Sequence, residues 1–362
     1  MRGSDCNRVC IDSTVVSSAL TYAVAPPEFP LFPSPTWTSL GDGFDASVHH
    51  PRLLIDDYTL PGDNGRSLAA GIIDGTACAV CDGSFFPEGS FGGAAWGLFS
   101  AVDKTDPLLG FNWVPGTPSD QSPFRSELSG IDGVLTSLEI IVFFHDITSG
   151  SITIGIDCTG AMNRAKSDFP LRSFQPSFDI LQDIWERLEM LPITVHWRWV
   201  EGHQDDNTPY HKLDWWGQRN VDMDTSAKEF AQNYRSQNHP YDSPQLLYEK
   251  WAYKIDGVKQ TSFSVDSICA HVYGSKLQEY WIRKDNLPPP QTPILWEEAR
   301  IAYRRLPLGL RRFRVKFLSQ HCGLGVRLQR RGERLSSACL LCDEQFEDRD
   351  HVFRCRHGGV RE

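Results

Sequence analysis

The feature that most constrains the fold is a change of hydrophobic period near the middle of the chain. Three short apolar segments, separated by Gly-rich or Asp/Pro turns, come first, and they lie at residues 77–82, 94–102 and 108–114. Their spacing predicts neighbouring antiparallel strands. The apolar residues from Leu128 to Val142 then recur at helical spacing, which predicts an α-helix with one buried face.

Strand and helix patterns alternate after this helix. Strand patterns lie at 151–157 and 193–200, and helical patterns lie at 180–190 and 221–230. The order strand, strand, strand, helix, strand, helix, strand, loop, helix predicts an α/β fold in which helices flank a mixed sheet. We expect this domain to span residues 73–235.

The 362 residues exceed what one hydrophobic core usually organises, so further regions are expected. Prolines and glycines interrupt residues 1–72, which predicts an irregular lead-in. Residues 236–334 are interpreted as a connector followed by a basic helical segment, which Pro307 and Gly309 would interrupt. The last segment, 335–362, predicts a small metal-binding module.

Composition excludes several classes of protein. Hydrophobic residues make up 40% of the chain and charged residues 23%, values typical of a folded protein rather than a disordered one. No apolar run approaches the ~20 residues of a membrane span, and the first residues do not match a secretory signal. We therefore expect no membrane partner and an intracellular location, in either nucleus or cytoplasm, where the ten cysteines stay reduced. The oligomeric state is left open.

Charge is distributed unevenly along the chain. The net charge is −10, yet residues 300–334 contain eleven Lys or Arg and a single acidic residue. Such a basic segment indicates contact with nucleic-acid phosphates. The candidate contacts at its centre are Arg311, Arg312, Arg314 and Lys316. Phe313 and Phe317 either pack in this segment or stack on bases.

Four acidic residues adjoin the predicted core, and they are Asp82, Glu127, Asp157 and Asp224. Asp82 and Asp157 are expected at strand ends, Glu127 at the start of a helix and Asp224 on the inward face of the last helix. Carboxylates buried together would repel one another and lose solvation. Divalent cations such as Mg²⁺, with Mn²⁺ as a substitute, would relieve both penalties. Two such ions can promote the hydrolysis of a phosphodiester.

Five short motifs carry these residues in a specific order over about residues 76–232. They are Asp82-Gly83-Ser84, Ser126-Glu127-Leu128, Ile156-Asp157, Gly202-His203 and Asn220-x-x-x-Asp224. In this order, and on these element types, the motifs resemble the type 1 ribonuclease H domain carried by retrotransposon reverse transcriptases. The resemblance implies a ribonuclease H-like mixed sheet flanked by helices.

The same resemblance implies a function. It implies cleavage of the RNA strand of an RNA–DNA hybrid by two metal ions that the four carboxylates hold. It also implies that Ser84 contacts the nucleic acid and that His203 assists proton transfer or product release. The long segment after His203 also carries Asp205 and Asp214, which are alternative ligands. Two other interpretations stay open: an inactive retroelement remnant that binds RNA or DNA, and a transposase or integrase core.

A cysteine–histidine cluster lies near the end of the sequence. Cys339, Cys342, His351 and Cys355 have the spacing C-x2-C-x8-H-x3-C, which predicts a closed structural zinc site. This spacing resembles the zinc-binding tail found downstream of reverse transcriptase in non-LTR retrotransposons, and a single-stranded nucleic acid is a possible partner. Four apolar residues are expected to pack around the zinc site, and they are Leu335, Leu340, Phe346 and Phe353. Cys78 and Cys81 are interpreted as buried structural cysteines.

Overall fold

The structure is a computed structural model, and it describes part of the chain. The described residues are 20–24, 37–48, 50, 52–101, 105–166, 171–235, 243–249, 251–262, 268, 279, 301–318, 323–342, 344–348 and 351–357. The chain divides into two compact units, Met1–Gly274 and Ser275–Glu362, and each is described here by itself. The first unit therefore extends beyond residue 235, where the sequence predicted a domain end.

A six-stranded mixed sheet forms the centre of the first unit. Its strands, in chain order, are β2 (Asp57–Thr59), β3 (Ala77–Phe86), β4 (Phe91–Phe99), β5 (Leu108–Trp113), β6 (Ser151–Ile156) and β7 (Thr194–Trp199). Their order across the sheet is β2-β5-β4-β3-β6-β7. The first four strands in this order pair antiparallel, whereas β3, β6 and β7 pair parallel. The parallel pairs place the ends of β6 and β7 at the same edge of the sheet.

Helices cover both faces of this sheet. They are α1 (Leu40–Val48), α2 (Arg66–Ile73), α3 (Pro123–Phe144), α4 (Thr159–Ala165), α5 (Phe178–Met190) and α6 (Trp215–Arg235). Helix α3 packs against β3 and β4, and α6 packs against β3, β4 and β5. The larger hydrophobic core lies on the α3 and α5 side, and a smaller one around Met223 and Ala227 lies under α6. The predicted α/β fold, a mixed sheet flanked by helices, is confirmed.

Residues 37–73 correct the prediction of an irregular lead-in. Helix α1, strand β2 and helix α2 belong to the folded unit, and β2 extends the sheet by pairing with β5. Leu40, Phe44 and Ile72 are fully buried in the larger core. The two helices are short and contain glycines, so their sequences lack a sustained apolar period, and tertiary packing stabilises them. Strand β1 (Leu20–Val24) is also described, while residues 1–19 and 25–36 lie outside the described residues.

A second, small sheet follows the predicted end of the domain. Strand β1 pairs antiparallel with β8 (Trp251–Ile255), which pairs with β9 (Val258–Lys259). We call residues 243–249 and 251–262 the strap. Arg52 holds the strap through hydrogen bonds to the carbonyl oxygens of residues 245, 246 and 247, at 3.2, 2.8 and 2.6 Å. The strap is therefore part of the first unit.

Buried ion pairs join the strap to the beginning of α3. The two terminal nitrogens of Arg125, Nη1 and Nη2, each donate a hydrogen bond of 2.9 Å to the carboxylate of Asp179. Lys259 Nζ contacts Asp179 Oδ2 at 3.2 Å and Glu249 Oε2 at 2.6 Å, and all four side chains are buried. Removal of one member would leave a buried charge unpaired, so the network is costly to break. Since Arg125 lies in the first turn of α3, the network holds that turn in place.

The second unit contains short helices, Leu308–Leu318, Gly325–Arg330 and His351–Arg354. The first of them starts after Pro307, as expected, but it continues through Gly309, so the predicted interruption at that glycine is wrong. The part of the predicted helix before residue 301 lies outside the described residues. Among the described residues of either unit, no helix combines the length and apolar character that crossing a membrane requires.

Candidate metal centre and nucleic-acid surface

Asp82 lies within a strand rather than at its end. Strand β3 continues to Phe86 and stays paired with β4 throughout, which corrects the predicted strand end at Asp82. The hydrogen-bonded ladder continues because Gly83 and Ser84 are followed by Phe85 and Phe86, which pair across the hairpin. Asp82 therefore lies inside the paired part of β3, opposite Ala95 of β4, and its side chain is buried.

Gly83 brings the first carboxylate next to the second. A Cβ atom at Gly83 would lie 2.2 Å from the carbonyl carbon of Ser126 and 2.3 Å from the backbone nitrogen of Glu127. Only glycine tolerates such a close backbone approach of β3 to α3. Because Gly83 directly follows Asp82 in the sequence, this close approach places Asp82 beside the turn of α3 that carries Glu127.

Asp157 joins this pair from the adjacent parallel strand. It follows the last residue of β6, whose neighbour in the sheet is β3. A second glycine, Gly202, approaches it closely, since a Cβ there would lie 2.4 Å from Asp157 Oδ2. Carboxylate oxygens of Asp82, Glu127 and Asp157 all lie within 4.8 Å of one another. We call these residues the carboxylate group.

The electrostatics of the carboxylate group favour a bound cation. Burial raises the pKa of Asp82 well above its usual range, and Asp157 raises it further. Burial also raises the pKa of Glu127 well above its usual range, with further contributions from Asp82 and Asp157. Burial is likewise the main cause of the raised pKa of Asp157. Mutual repulsion of this kind is relieved by a divalent cation.

One oxygen of the group has no hydrogen-bond partner. Within the part of the chain that the structure describes, Glu127 Oε2 is buried and accepts no hydrogen bond. Buried polar atoms are rarely left this way unless an ion or a water completes the site. The donor set is all oxygen, which suits hard cations such as Mg²⁺ or Mn²⁺. The residues present therefore fit a divalent metal ion.

Asp224 lies beside the carboxylate group but is not a member of it. Its Oδ2 accepts a hydrogen bond of 2.6 Å from Lys228 Nζ, one turn later on α6. The charge of Asp224 nevertheless raises the pKa of both Asp82 and Asp157, after the larger effect of burial. The structure thus brings three of the four predicted carboxylates together and places the fourth next to them, paired with a lysine.

His203 lies on the loop that follows β7. Its backbone is left-handed, with φ of 52°, and its side chain is exposed. A positive charge on His203 would act to lower the pKa of Asp157, against the larger effect of burial. The loop continues through two 3₁₀ turns, Gln204–Asp206 and Tyr210–Lys212, before α6.

The alternative ligands Asp205 and Asp214 do not join the carboxylate group. Asp214 Oδ1 accepts a hydrogen bond of 2.8 Å from the Gly217 backbone at the start of α6, which is the role of a helix cap. Asp205 lies exposed in the first 3₁₀ turn.

Asn220 is a site residue that the sequence analysis did not assign. It is buried on α6, and its Nδ2 donates a hydrogen bond of 3.0 Å to Asp82 Oδ2. The signal was its position one helical turn before Asp224, which places both residues on one face of α6. Asn220 therefore orients the Asp82 carboxylate.

The sequence predicts that Ser84 contacts nucleic acid, and this stays a prediction. Its side chain is about 7% exposed, since β3 is covered on both faces at this point. Cys81, in the same strand, is fully buried, as expected for a structural cysteine, and burial raises the pKa of its thiol well above the usual value.

The basic helix Leu308–Leu318 contains the predicted phosphate contacts. Arg311 is occupied within the helix region, because Nε bonds to the Leu306 carbonyl at 2.6 Å and Nη2 to the Arg304 carbonyl at 3.0 Å. A contact of Arg311 with nucleic acid stays a prediction. Arg312 is exposed. The side chains of Arg314, Lys316 and Phe317 lie outside the described residues, whereas Phe313 is 52% exposed.

The predicted zinc ligands converge in the second unit. One ligand atom from each of Cys339, Cys342, His351 and Cys355 lies within 4.8 Å of all the others. The Leu341 backbone N–H donates to Cys339 Sγ at 3.4 Å and is the main cause that lowers the pKa of this thiol to about 7. Three thiols and an imidazole at this spacing fit a tetrahedral zinc ion.

Neighbouring carboxylates complete this centre. Glu344 Oε2 lies 3.2 Å from His351 Nδ1. The other ring nitrogen, Nε2, faces the cysteines and lies 3.3 Å from Cys342 Sγ. Such a carboxylate–histidine pair orients a metal-binding imidazole. Glu347 Oε2 contacts the Gly325 backbone and Arg334, at 3.0 and 2.9 Å. The module therefore includes residues before the predicted start at 335.

The expected apolar packing around the zinc ligands is not found. Leu335 is fully exposed, Leu340 is 80% exposed and Phe346 is 57% exposed. The side chain of Phe353 lies outside the described residues. A module of this size has little interior, so the four ligands rather than apolar contacts hold its chain together.

Comparisons with known proteins give distant structural similarity. No family model matches the chain, and no curated protein matches it. The chain is similar to the amino-terminal RNase H domain of a Mycobacterium tuberculosis protein, solved as a fusion with maltose-binding protein, with 11% identity, a TM-score of 0.26 and coverage of 42% of this chain and 96% of that one. It is also similar to RNase H1 from the archaeon Halobacterium salinarum, with 14% identity, a TM-score of 0.26 and coverage of 40% and 97%.

Proposed function

We propose that this chain is a metal-dependent endonuclease that cleaves the RNA strand of RNA–DNA hybrids. The observation that carries the proposal is the carboxylate group, in which three buried carboxylates lie within 4.8 Å of one another and one oxygen of Glu127 has no partner among the described residues. A fold stabilised by packing alone would avoid this arrangement, because unpaired buried carboxylates are destabilising. The ordered motifs of the sequence supply the substrate class.

Asp82, Glu127 and Asp157 would hold the divalent ions, and Asn220 would keep the Asp82 carboxylate in a single orientation. Two Mg²⁺ ions bound there supply Lewis-acid activation of water and stabilise negative charge at the scissile phosphate. Asp224, whose Oδ2 accepts a hydrogen bond of 2.6 Å from Lys228 Nζ in this structure, would be the fourth carboxylate of the ligand set. Positioning of the substrate by these rigid elements provides most of the remaining catalysis.

His203 serves as the mobile proton carrier of the proposed reaction. Its imidazole is exposed, and a positive charge on it would act to lower the pKa of Asp157. Imidazole is the side-chain group that most often transfers protons in catalysis, and His203 carries it. It would take up a proton at the carboxylate group and release it to solvent with the product.

The second unit would supply affinity for nucleic acid. Cys339, Cys342, His351 and Cys355 would hold a zinc ion, which would stabilise the fold of this module. Arg312 and the other basic residues of residues 301–334 would contact phosphates of the hybrid, or of single-stranded RNA or DNA, and this binding would weaken with salt. Together with the motifs of the first unit, this tail supports an origin in the reverse transcriptase of a non-LTR retrotransposon.

A second candidate function is nucleic-acid binding without catalysis. The ion pair between Asp224 and Lys228 favours it, because a carboxylate bonded to an ammonium group at 2.6 Å is not free to bind a metal ion. In this alternative, the second unit binds nucleic acid and the carboxylate group is a remnant of an ancestral site.

Cleavage of a labelled RNA–DNA hybrid in Mg²⁺ distinguishes these functions. The full chain should release RNA fragments, Asp157→Asn should reduce the rate by at least about 100-fold, and Asp205→Asn, an exposed change outside the carboxylate group, should cleave like wild type. Hybrid binding without cleavage by the wild-type chain would favour the remnant. Equal cleavage by wild type and Asp157→Asn would exclude the proposed site.

A further inference from the structure

The rim of the carboxylate group carries a half-exposed aromatic side chain. Trp199 is the last residue of β7, and 52% of its surface is exposed. Among the large apolar side chains that the described part of the chain leaves exposed, it is the only tryptophan. An indole that served only to fill the core would be covered, since burial is where its large apolar surface stabilises a fold.

The indole is held in place at one end. Trp199 Nε1 donates a hydrogen bond of 3.0 Å to the backbone carbonyl of Asp157, a member of the carboxylate group. The register of the sheet supports this contact, because Trp199 pairs with Ile156, which precedes Asp157. The polar end of the ring is thus satisfied by the backbone of a member of the carboxylate group, and about half of the side chain stays exposed.

The position of β7 leaves this ring open to a ligand. β7 is an edge strand of the six-stranded sheet, and none of the described strands pairs with its outer side. The neighbouring carboxylates repel phosphate, whereas an aromatic ring carries no net charge and can contact the apolar faces of a nucleotide. An uncharged contact beside an acidic centre can retain a nucleotide whose phosphate approaches the carboxylates.

We propose that Trp199 contacts the nucleotide next to the scissile phosphate, with its indole packed against the face of the base or sugar. The proposal rests on the function proposed above. It makes Trp199 a substrate-binding residue, and the hydrogen bond to Asp157 fixes the distance between that nucleotide and the carboxylate group.

Hybrid cleavage by the full chain tests the proposal. Trp199→Ala should raise KM by about 5- to 100-fold, the range for one lost aromatic stacking contact, with little change in kcat. Trp199→Phe keeps a ring but loses the N–H group, and should keep KM within about threefold of wild type. Trp185→Phe is a matched control, because Trp185 Nε1 also donates to a carbonyl, that of Arg164 at 2.9 Å, away from the carboxylate group.

Two hybrid probes separate the base from the sugar. If Trp199→Ala raises KM for a fully paired, blunt hybrid, the indole contacts the sugar. If it raises KM only for a hybrid with unpaired nucleotides, the indole contacts the base. Unchanged KM with both probes overturns the proposal, as does a loss confined to kcat, which would assign Trp199 to positioning of Asp157. Loss of cleavage in Glu127→Gln with no effect of Trp199→Ala would leave the nuclease function intact and exclude the aromatic contact.

Discussion

Asn220 Nδ2 lies 3.0 Å from Asp82 Oδ2, although 138 positions of sequence separate the two residues. Both side chains are buried, so the amide orients the carboxylate without competition from solvent. This bond joins α6 to the central strand β3 at the carboxylate group. It therefore couples the last helix of the first unit to the proposed metal centre.

Asn220→Ala is expected to lower hybrid cleavage by about 10- to 100-fold, because partners that orient metal-binding carboxylates have effects of that size. Mg²⁺ affinity, measured by calorimetric titration, should fall with it. Gln218→Ala is the control on the same helix, since Gln218 bonds to the carbonyls of Tyr210 and Leu213, at 3.1 and 3.2 Å. Wild-type Mg²⁺ affinity in Asn220→Ala would contradict the orienting role.

Lys228→Met should tighten the binding of Mn²⁺ or Mg²⁺ by about two- to fivefold, because it removes a positive charge next to the proposed ligands. Lys228 pairs with Asp224 at 2.6 Å, and its charge also acts to lower the pKa of Asp82, against the larger effect of burial. Calorimetry at low salt measures the change, which should shrink at high ionic strength. Lys212→Met, in an exposed 3₁₀ turn, should bind the ion like wild type.

Glu344→Gln is expected to weaken zinc binding by about 10- to 100-fold, since the carboxylate that orients His351 is lost. Competition with a zinc chelator measures this affinity, and Cys342→Ser should lose the ion altogether. Cys158→Ser is the matched thiol control, because Cys158 lies outside the four-ligand group. An unchanged affinity in Glu344→Gln would show that the 3.2 Å contact with His351 does not assist the metal site.

Asp179→Asn should destabilise the first unit at pH 7 by about 3–5 kcal/mol, because it leaves the buried Arg125 without a carboxylate partner and Lys259 with Glu249 alone. Burial acts to raise the pKa of Asp179, but Arg125 and Lys259 outweigh it and hold the pKa below its usual value. This stabilisation is complete above the unfolded-state pKa of about 3.9 and is lost as the pH falls below it.

The difference in unfolding free energy between wild type and Asp179→Asn should therefore shrink between about pH 5 and pH 2. Urea unfolding across this range measures it. Glu249, whose pKa is raised to about 7 mainly by burial, titrates above this window. A difference that stays constant with pH would show that the charge of Asp179 does not stabilise the fold.

The sequence predicted the sheet and the long helices because each has a clear period. Glu127 and Asp157 could be assigned because they adjoin those periodic segments. The role of Asn220 could not be assigned, since it depends on how α6 lies across β3. The short helices α1 and α2 were missed because tertiary packing stabilises them more than local pattern does.

The strap could not be predicted for a related reason. Lys259 and Asp179 are 80 positions apart, and nothing local marks either residue as half of a buried pair. Likewise, the pairing of Asp224 with Lys228 has an ordinary i, i+4 helical spacing, which does not indicate that it lies beside a carboxylate group.

The buried attachment of the strap has a practical consequence for recombinant work. A fragment that ends at residue 235, where the sequence pattern of the α/β domain ends, would lack Lys259 and Glu249 and would leave Asp179 with Arg125 alone. A fragment that ends at residue 262 or later keeps all four charged residues, Arg125, Asp179, Glu249 and Lys259. We expect such a fragment, but not one that ends at residue 235, to be purified in a folded state.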